Sequence, residues 1–176
     1  MREIRRGTLG DIPGVAAIYD RVLTEEEAGR ASVGWVRGVY PTEATAREAL
    51  EAGELFVLEE DGQLAAAARI NCVQVPVYRQ APWRWEAPPE QVCVLHTLVV
   101  DPLQKGRGLG TAFVDFYESY ALEQGCPYLR MDTNEKNAAA RALYARLGYR
   151  EAGIVPCEFN GIPGVNLVCL EKRLEE

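Results

Sequence analysis

Six consecutive residues, Lys105-Gly106-Arg107-Gly108-Leu109-Gly110, hold most of the chemistry legible in this chain of 176 residues. They follow a β-rich apolar run, Val92–Val100, that ends at Asp101-Pro102, and they lead into apolar positions Leu109, Ala112, Phe113, Phe116 and Tyr120 at helical spacing. Strand, glycine-rich loop and helix in that order have a physical use. Glycines let successive backbone N–H groups face one concavity, and a helix N-terminus adds partial positive charge. A pyrophosphate fits there, with Lys105 and Arg107 adding charge. The loop lacks the Gly-Lys-Ser/Thr ending of nucleotide-hydrolysing P-loops, because Gly110 runs directly into Thr111. Its glycines lie two apart throughout, which is a poor match to the G-x-G-x-x-G of dinucleotide folds. The plainer alternative is a turn that holds no ligand.

Three more residues carry candidate chemistry. His96 is the single histidine, and it exchanges protons near neutral pH. Strand alternation places it on the face of Val94, Leu98 and Val100, either as a base at a gap in the sheet or as a hydrogen-bonded core residue. Cys93, at an odd offset, turns to the other face, and no nucleophile motif accompanies the histidine. Tyr144 lies in segment 137–149, a short helix closed by Gly148. It shares an apolar stripe with Ala140, Leu143 and Leu147, so packing competes with chemistry as its role. Asn137 opens that helix with Asn134 as a candidate N-cap, and Asp132, Glu135 and Glu158 are rival proton acceptors.

These residues need a scaffold. Residues 2–6 read as a strand, and Asp11 caps a helix with apolar positions Ile12, Val15, Ile18, Tyr19, Val22 and Leu23. Segment 24–40 has no clear period, and 42–52 reads as a helix stopped by Gly53. Segments 54–59 and 64–74 flank Asp61-Gly62 as a hairpin. Residues 75–90 carry Pro76, Pro82, Pro88 and Pro89 with Tyr78, Trp83 and Trp85, which forbids regular ladder pairing. That long loop is a surface insertion, a homodimer contact or a wall of a pocket. Val92–Val100 is a central strand, 126–131 another, and 150–156 and 165–171 close the chain.

The pattern Val99-Val100, residues 105–110, Asn137, Ala140, Tyr144 and Gly148-Tyr149 resembles the acetyl-CoA-binding core of the GNAT superfamily of N-acetyltransferases, closely over 92–149 and more loosely elsewhere. The resemblance implies one α/β (α+β) domain over residues 1–176, with a central mixed, mostly antiparallel sheet of about six to seven strands flanked by about four helices. The fourth and fifth strands splay apart, and pantetheine pairs with the exposed backbone of Leu98, Val99 and Val100. The N–H groups of Lys105, Gly106, Arg107, Gly108, Leu109 and Gly110, with Thr111 beginning the helix, hold the pyrophosphate. The family's first loop position is usually Gln or Arg, whereas this chain has Lys105 there, preceded by Gln104. Asn137 bonds the pantetheine arm, Tyr144 is the general acid at the thioester sulfur, and His96 is a candidate general base. A thiolate near pKa 8.5 can take a proton from a phenol near 10 if the site biases it. The implied reaction is direct attack of a primary amine on acetyl-CoA in a ternary complex, with a fourth-strand N–H stabilising the oxyanion and no metal. Other acyl-CoA donors, and a non-catalytic acyl-CoA-sensing module, remain open alternatives.

Composition narrows the partners. At about 100 to 200 residues per domain, the length favours one domain. With 19 Lys and Arg against 26 Asp and Glu, the net charge of −7 opposes nucleic-acid binding and mildly favours a cationic amine, small-molecule or peptide. No apolar run approaches the roughly 20 residues that span a bilayer, and no secretion signal follows the basic N-terminus. Five dispersed cysteines and one histidine read as reduced, buried thiols of a cytoplasmic protein without a metal site.

Overall fold

A computed structural model describes residues 1–175. Seven strands form one sheet: β1 (Arg2–Arg6), β2 (Leu55–Glu60), β3 (Gln63–Asn71), β4 (Val92–Val100), β5 (Tyr128–Asn134), β6 (Arg150–Phe159) and β7 (Ile162–Arg173). Their order is β1-β2-β3-β4-β5-β7-β6, and every neighbouring pair is antiparallel except β4 with β5. Helices α1 (Ile12–Glu27), α2 (Glu43–Glu51), α3 (Leu109–Glu123) and α4 (Ala138–Arg146) flank it. The mixed sheet and four helices are those the sequence led us to expect, and the final hairpin is longer.

Local chemistry accounts for the element ends. Pro13 falls in the first turn of α1, where its missing N–H costs nothing. Thr42 and Thr45 form a reciprocal capping box on α2. Asp61-Gly62 and Asn160-Gly161, all at positive φ, make two-residue turns in the β2–β3 and β6–β7 hairpins.

The sheet opens at its centre. Among the described residues, β4 and β5 pair only at Val92↔Tyr128, Cys93↔Leu129 and Val94↔Arg130, so from Leu95 onward the β4 edge facing β5 has no ladder partner there. On its other edge, His96 pairs with Arg69 and Val99 with Ala67, so three steps of β4 oppose two of β3. The extra residue makes a bulge around Thr97, whose φ of 53 is left-handed and costly for a β-branched side chain. The bulge also corrects the expected alternation. Val94 packs with Tyr78 and Leu167, whereas Leu98 and Val100 join the α3-side core with Cys93 and Leu95. One inserted residue reverses every side chain beyond it, so His96 does not share a single face with Val94, Leu98 and Val100.

The proline-rich segment is anchored by named contacts. Its Tyr78 is buried among Val92, Val94, Val155 and Leu167, and Trp83 Nε1 donates to the Tyr78 carbonyl at 2.7 Å. The buried Glu171 carboxylate accepts the Arg84 N–H at 2.9 Å and pairs with Arg150 at 2.5 Å. All five cysteines are free; Cys93, Cys126 and Cys169 are buried and Cys157 is half-buried. Cys72 is exposed, a correction to the expected burial, because it lies just past the last ladder residue of β3. Among the described residues, no helix is long and apolar enough to cross a membrane.

Candidate active site

A cavity of about 710 Å³ opens where β4 and β5 part, and it gathers half of the residues singled out from the sequence; of the glycine loop, Lys105 lines it and residues 106–111 do not. His96, Leu98, Val99, Val100 and Lys105 line one side; Asp132, Asn137 and Tyr144 line the other. Trp35 and Tyr40, packed edge to face at 5.9 Å, also border it. Trp83 and Trp85 do not; Trp83 instead stacks beneath the Arg130 guanidinium at 4.3 Å.

The glycine loop runs from a short 3-10 turn, Pro102–Gln104, into α3. Asp101 fixes its entry. The buried Asp101 carboxylate binds Arg21 of α1 through two bonds of 2.9 and 2.7 Å and accepts the Leu103 N–H at 3.0 Å. Gly106 and Gly108 adopt φ of 85 and 70, which only glycine adopts freely, and Gly108 is the N-cap of α3. Residues 105–108 are exposed beside the unsatisfied first-turn donors of α3, while the Lys105 N–H is bonded to the Pro102 carbonyl at 3.4 Å. Gly110 has ordinary φ and a different reason for being small. A Cβ there would lie 3.1 Å from Leu143 of α4.

Helix α4 brings the next two residues. Asn137, rather than Asn134, is its N-cap: Asn137 Oδ1 accepts the Ala140 N–H at 3.1 Å. Among the described residues its Nδ2 has no partner, leaving donors toward the cavity. Gly148 (φ 91) closes the helix, with the Tyr149 N–H bonded to the Tyr144 carbonyl at 2.9 Å. Tyr144 is 7% exposed, and its hydroxyl has no protein partner among the described residues. Burial and the nearby Asp132 push its acidity well below that of an ordinary phenol, so the hydroxyl keeps its proton.

Two groups with displaced pKa values face the same space. His96 Nε2 lies 2.7 Å from Asn71 Oδ1, and burial together with the neighbouring Arg69 charge lowers its pKa to about 4. The imidazole is therefore neutral throughout the physiological range. Asp132, on the stretch of β5 that pairs with β7 but not with β4, accepts a bond from the Tyr78 hydroxyl at 2.6 Å, and desolvation raises its pKa to about 6. Glu135 instead bonds Asn166 at 3.0 Å, and Glu158 does not line the cavity. Tyr78, Asn71 and the Thr97 bulge were not singled out from the sequence. Tyr78 lay in a segment whose prolines hid its burial, and a bulge leaves no local signature in an unbroken β-rich run.

A mixed sheet with a parted centre, a glycine loop at a helix start and a tyrosine on the following helix describe an acyltransferase architecture. The model of the Acetyltransferase (GNAT) family matches residues 20–149, and the chain belongs to that family. An acetyltransferase of that family from Streptococcus agalactiae has a closely similar solved structure: 25% identity, a TM-score of 0.81, and coverage of 99% of this chain and 96% of that one. The ribosomal-protein-S18-alanine N-acetyltransferase of Escherichia coli shares the fold at 21% identity and a TM-score of 0.71, over 100% and 96% of the two chains. An uncharacterised N-acetyltransferase of Methanocaldococcus jannaschii is 28% identical over 100 residues, 57% of this chain. The match spans 40% of that relative's length.

Proposed function

We propose that this protein transfers an acetyl group from acetyl-CoA to a primary amine by direct attack within a ternary complex. The observation that carries the reading is the meeting, in one cavity, of the β4 edge that β5 leaves unpaired and a Tyr144 hydroxyl without a partner among the described residues, with Lys105 bringing the start of the glycine loop to its margin. The N–H groups of residues 106–110 and the first turn of α3 suit a pyrophosphate. The free edge of Leu98, Val99 and Val100 suits the amides of pantetheine, and Asn137 Nδ2 supplies a further donor. A β4 N–H would stabilise the oxyanion that forms at the thioester carbonyl, and Tyr144 would protonate the departing sulfur. Holding both reactants in one crevice supplies much of the acceleration. With its pKa near 4, His96 is a weak proton acceptor, and its bond to Asn71 suits it better to shaping the crevice than to driving proton removal.

Calorimetric titration with acetyl-CoA, and separately with ATP and NAD, tests the donor. Selective binding of acetyl-CoA is expected. Gly108→Asp should abolish it while the protein stays folded, because Asp tolerates left-handed φ and its Cβ meets no atom within 4 Å. Its carboxylate would repel the phosphates. Undiminished affinity in that variant would reduce the loop to a turn.

A further inference from the structure

We infer that Asp132 is the residue that receives the acceptor, binding its ammonium group and accepting its proton, and that the acceptor carries this amine on an apolar body without a carboxylate. The inference rests on the transferase reading above and deepens it. Only one oxygen of Asp132 is engaged: Oδ2 accepts from Tyr78, while Oδ1 has no partner among the described residues and belongs to a side chain that lines the cavity.

The surroundings of that carboxylate are unusual in charge. The titratable groups that feel it are Tyr78 beneath it, Tyr144 of α4, Tyr40 across the cavity, Cys157 of β6 and Cys169 of β7. All five are acids held neutral at pH 7, with Tyr40 and Cys169 pushed up to about 12. The cations of the wall are committed elsewhere. Arg69 is bound by Glu54 at 2.7 Å, Arg30 is paired with Glu25, and Lys105 stands at the phosphate loop. Glu48 adds another carboxylate at the rim. An ionised Asp132 thus lacks a counter-charge that an incoming ammonium supplies, and a carboxylate on the acceptor would find no spare cation. Trp35, Phe159 and Leu167 offer apolar and aromatic surface for the rest of the molecule, and ring faces favour ammonium as well.

The proton inventory closes. The ammonium gives one proton to Asp132, and the freed nitrogen lone pair forms the C–N bond at the thioester carbonyl. The C–S bond breaks with its electron pair on sulfur, which takes the Tyr144 proton. The second nitrogen proton leaves through solvent and restores Tyr144, and Asp132 returns its own proton to solvent.

Calorimetry with phenethylamine, phenylalanine and 2-phenylethanol on the CoA-loaded protein tests this. Wild type should bind phenethylamine, with phenylalanine and the alcohol much weaker, and binding should fade as pH drops below about 6. Asp132→Asn should weaken phenethylamine about 30-fold or more and erase the pH dependence, with acetyl-CoA affinity unchanged as the control for folding. Tyr78→Phe removes a bond that holds the Asp132 pKa down, so it should move the fade to higher pH while retaining binding. Failure of wild type to bind acetyl-CoA would overturn the transferase reading itself. With acetyl-CoA bound normally, the proposal falls if phenethylamine does not bind at millimolar concentration, if phenylalanine binds as well, or if Asp132→Asn holds phenethylamine unchanged.

Discussion

Asp132 and His96 share a cavity and have opposite pKa displacements, which makes their contributions to stability opposite in sign. Asp132 has a folded pKa near 6, above its ordinary 3.8, so between those values the folded state holds the extra proton. Stability from this group is therefore lost as pH rises through about 6. His96 has a folded pKa near 4 against an ordinary 6.5, so over that interval the unfolded chain holds the extra proton and stability rises with pH. In wild type the two slopes oppose each other between about pH 4 and 6. Asp132→Asn leaves the histidine slope alone. Its melting temperature should climb more steeply across that interval and exceed that of wild type at about pH 8. Thermal denaturation at several pH values checks this, and a variant less stable than wild type at pH 8 would mean that the carboxylate is compensated by a charge not described above. A desolvated, half-buried carboxylate that costs stability is consistent with the proposed role of Asp132 in receiving a cation.

Helices α3 and α4 meet at Gly110, and the contact links the glycine loop to the helix of Tyr144. Because a Cβ on Gly110 would lie 3.1 Å from Leu143 Cδ2, a branched side chain there must push the Leu143 side chain aside or shift the helices. Gly110→Val should cost roughly 1–3 kcal/mol through overpacking. It should also weaken acetyl-CoA binding, since α3 carries the first-turn donors and α4 carries Asn137 and Tyr144. Denaturant unfolding and a titration of the same variant read both effects. Unchanged affinity alongside lost stability would show that the helix junction supports the fold without positioning the site. The bulge at Thr97 belongs to the same level of organisation. Its left-handed residue shifts the register between β3 and β4 beside the cavity, and the Thr97 hydroxyl bonds to Tyr40 across that opening.

Across the whole molecule, one buried carboxylate ties the proline-rich segment to the last strand. Glu171 accepts the Arg84 and Trp85 N–H groups and pairs with Arg150, and the segment it holds delivers Tyr78 to Asp132. Glu171→Ala strands two backbone donors and an arginine, and should cost roughly 2–4 kcal/mol. Limited proteolysis should then cut within residues 75–91, which wild type should resist. Resistance equal to wild type would place the anchor in the Tyr78 and Trp83 packing instead. The Arg21 and Asp101 pair does corresponding work at the end of β4, joining α1 to the entry of the glycine loop.

Much of this architecture was legible in the chain because it rests on local chemistry. Asp61-Gly62 needs only two residues at positive φ to make its turn, the α3 stripe needs only helical spacing, and residues 105–110 carry their glycines and charges in one stretch. Asn137, Tyr144 and Gly148 likewise lie within a single helix and its caps. What stayed hidden depends on groups far apart in sequence. Which face His96 shares was decided by a bulge whose extra residue is defined only against β3. The pKa values of His96 and Asp132 were decided by burial between strands and by Arg69 and Tyr78, which arrive from distant segments. The prolines of residues 75–90 forbid ladder pairing and read as a loop, yet the segment carries Tyr78 to the Asp132 carboxylate. Backbone preferences act over a few residues and can be read from them, whereas charge, burial and register at a site belong to the space between elements and exist only once the chain has closed upon itself.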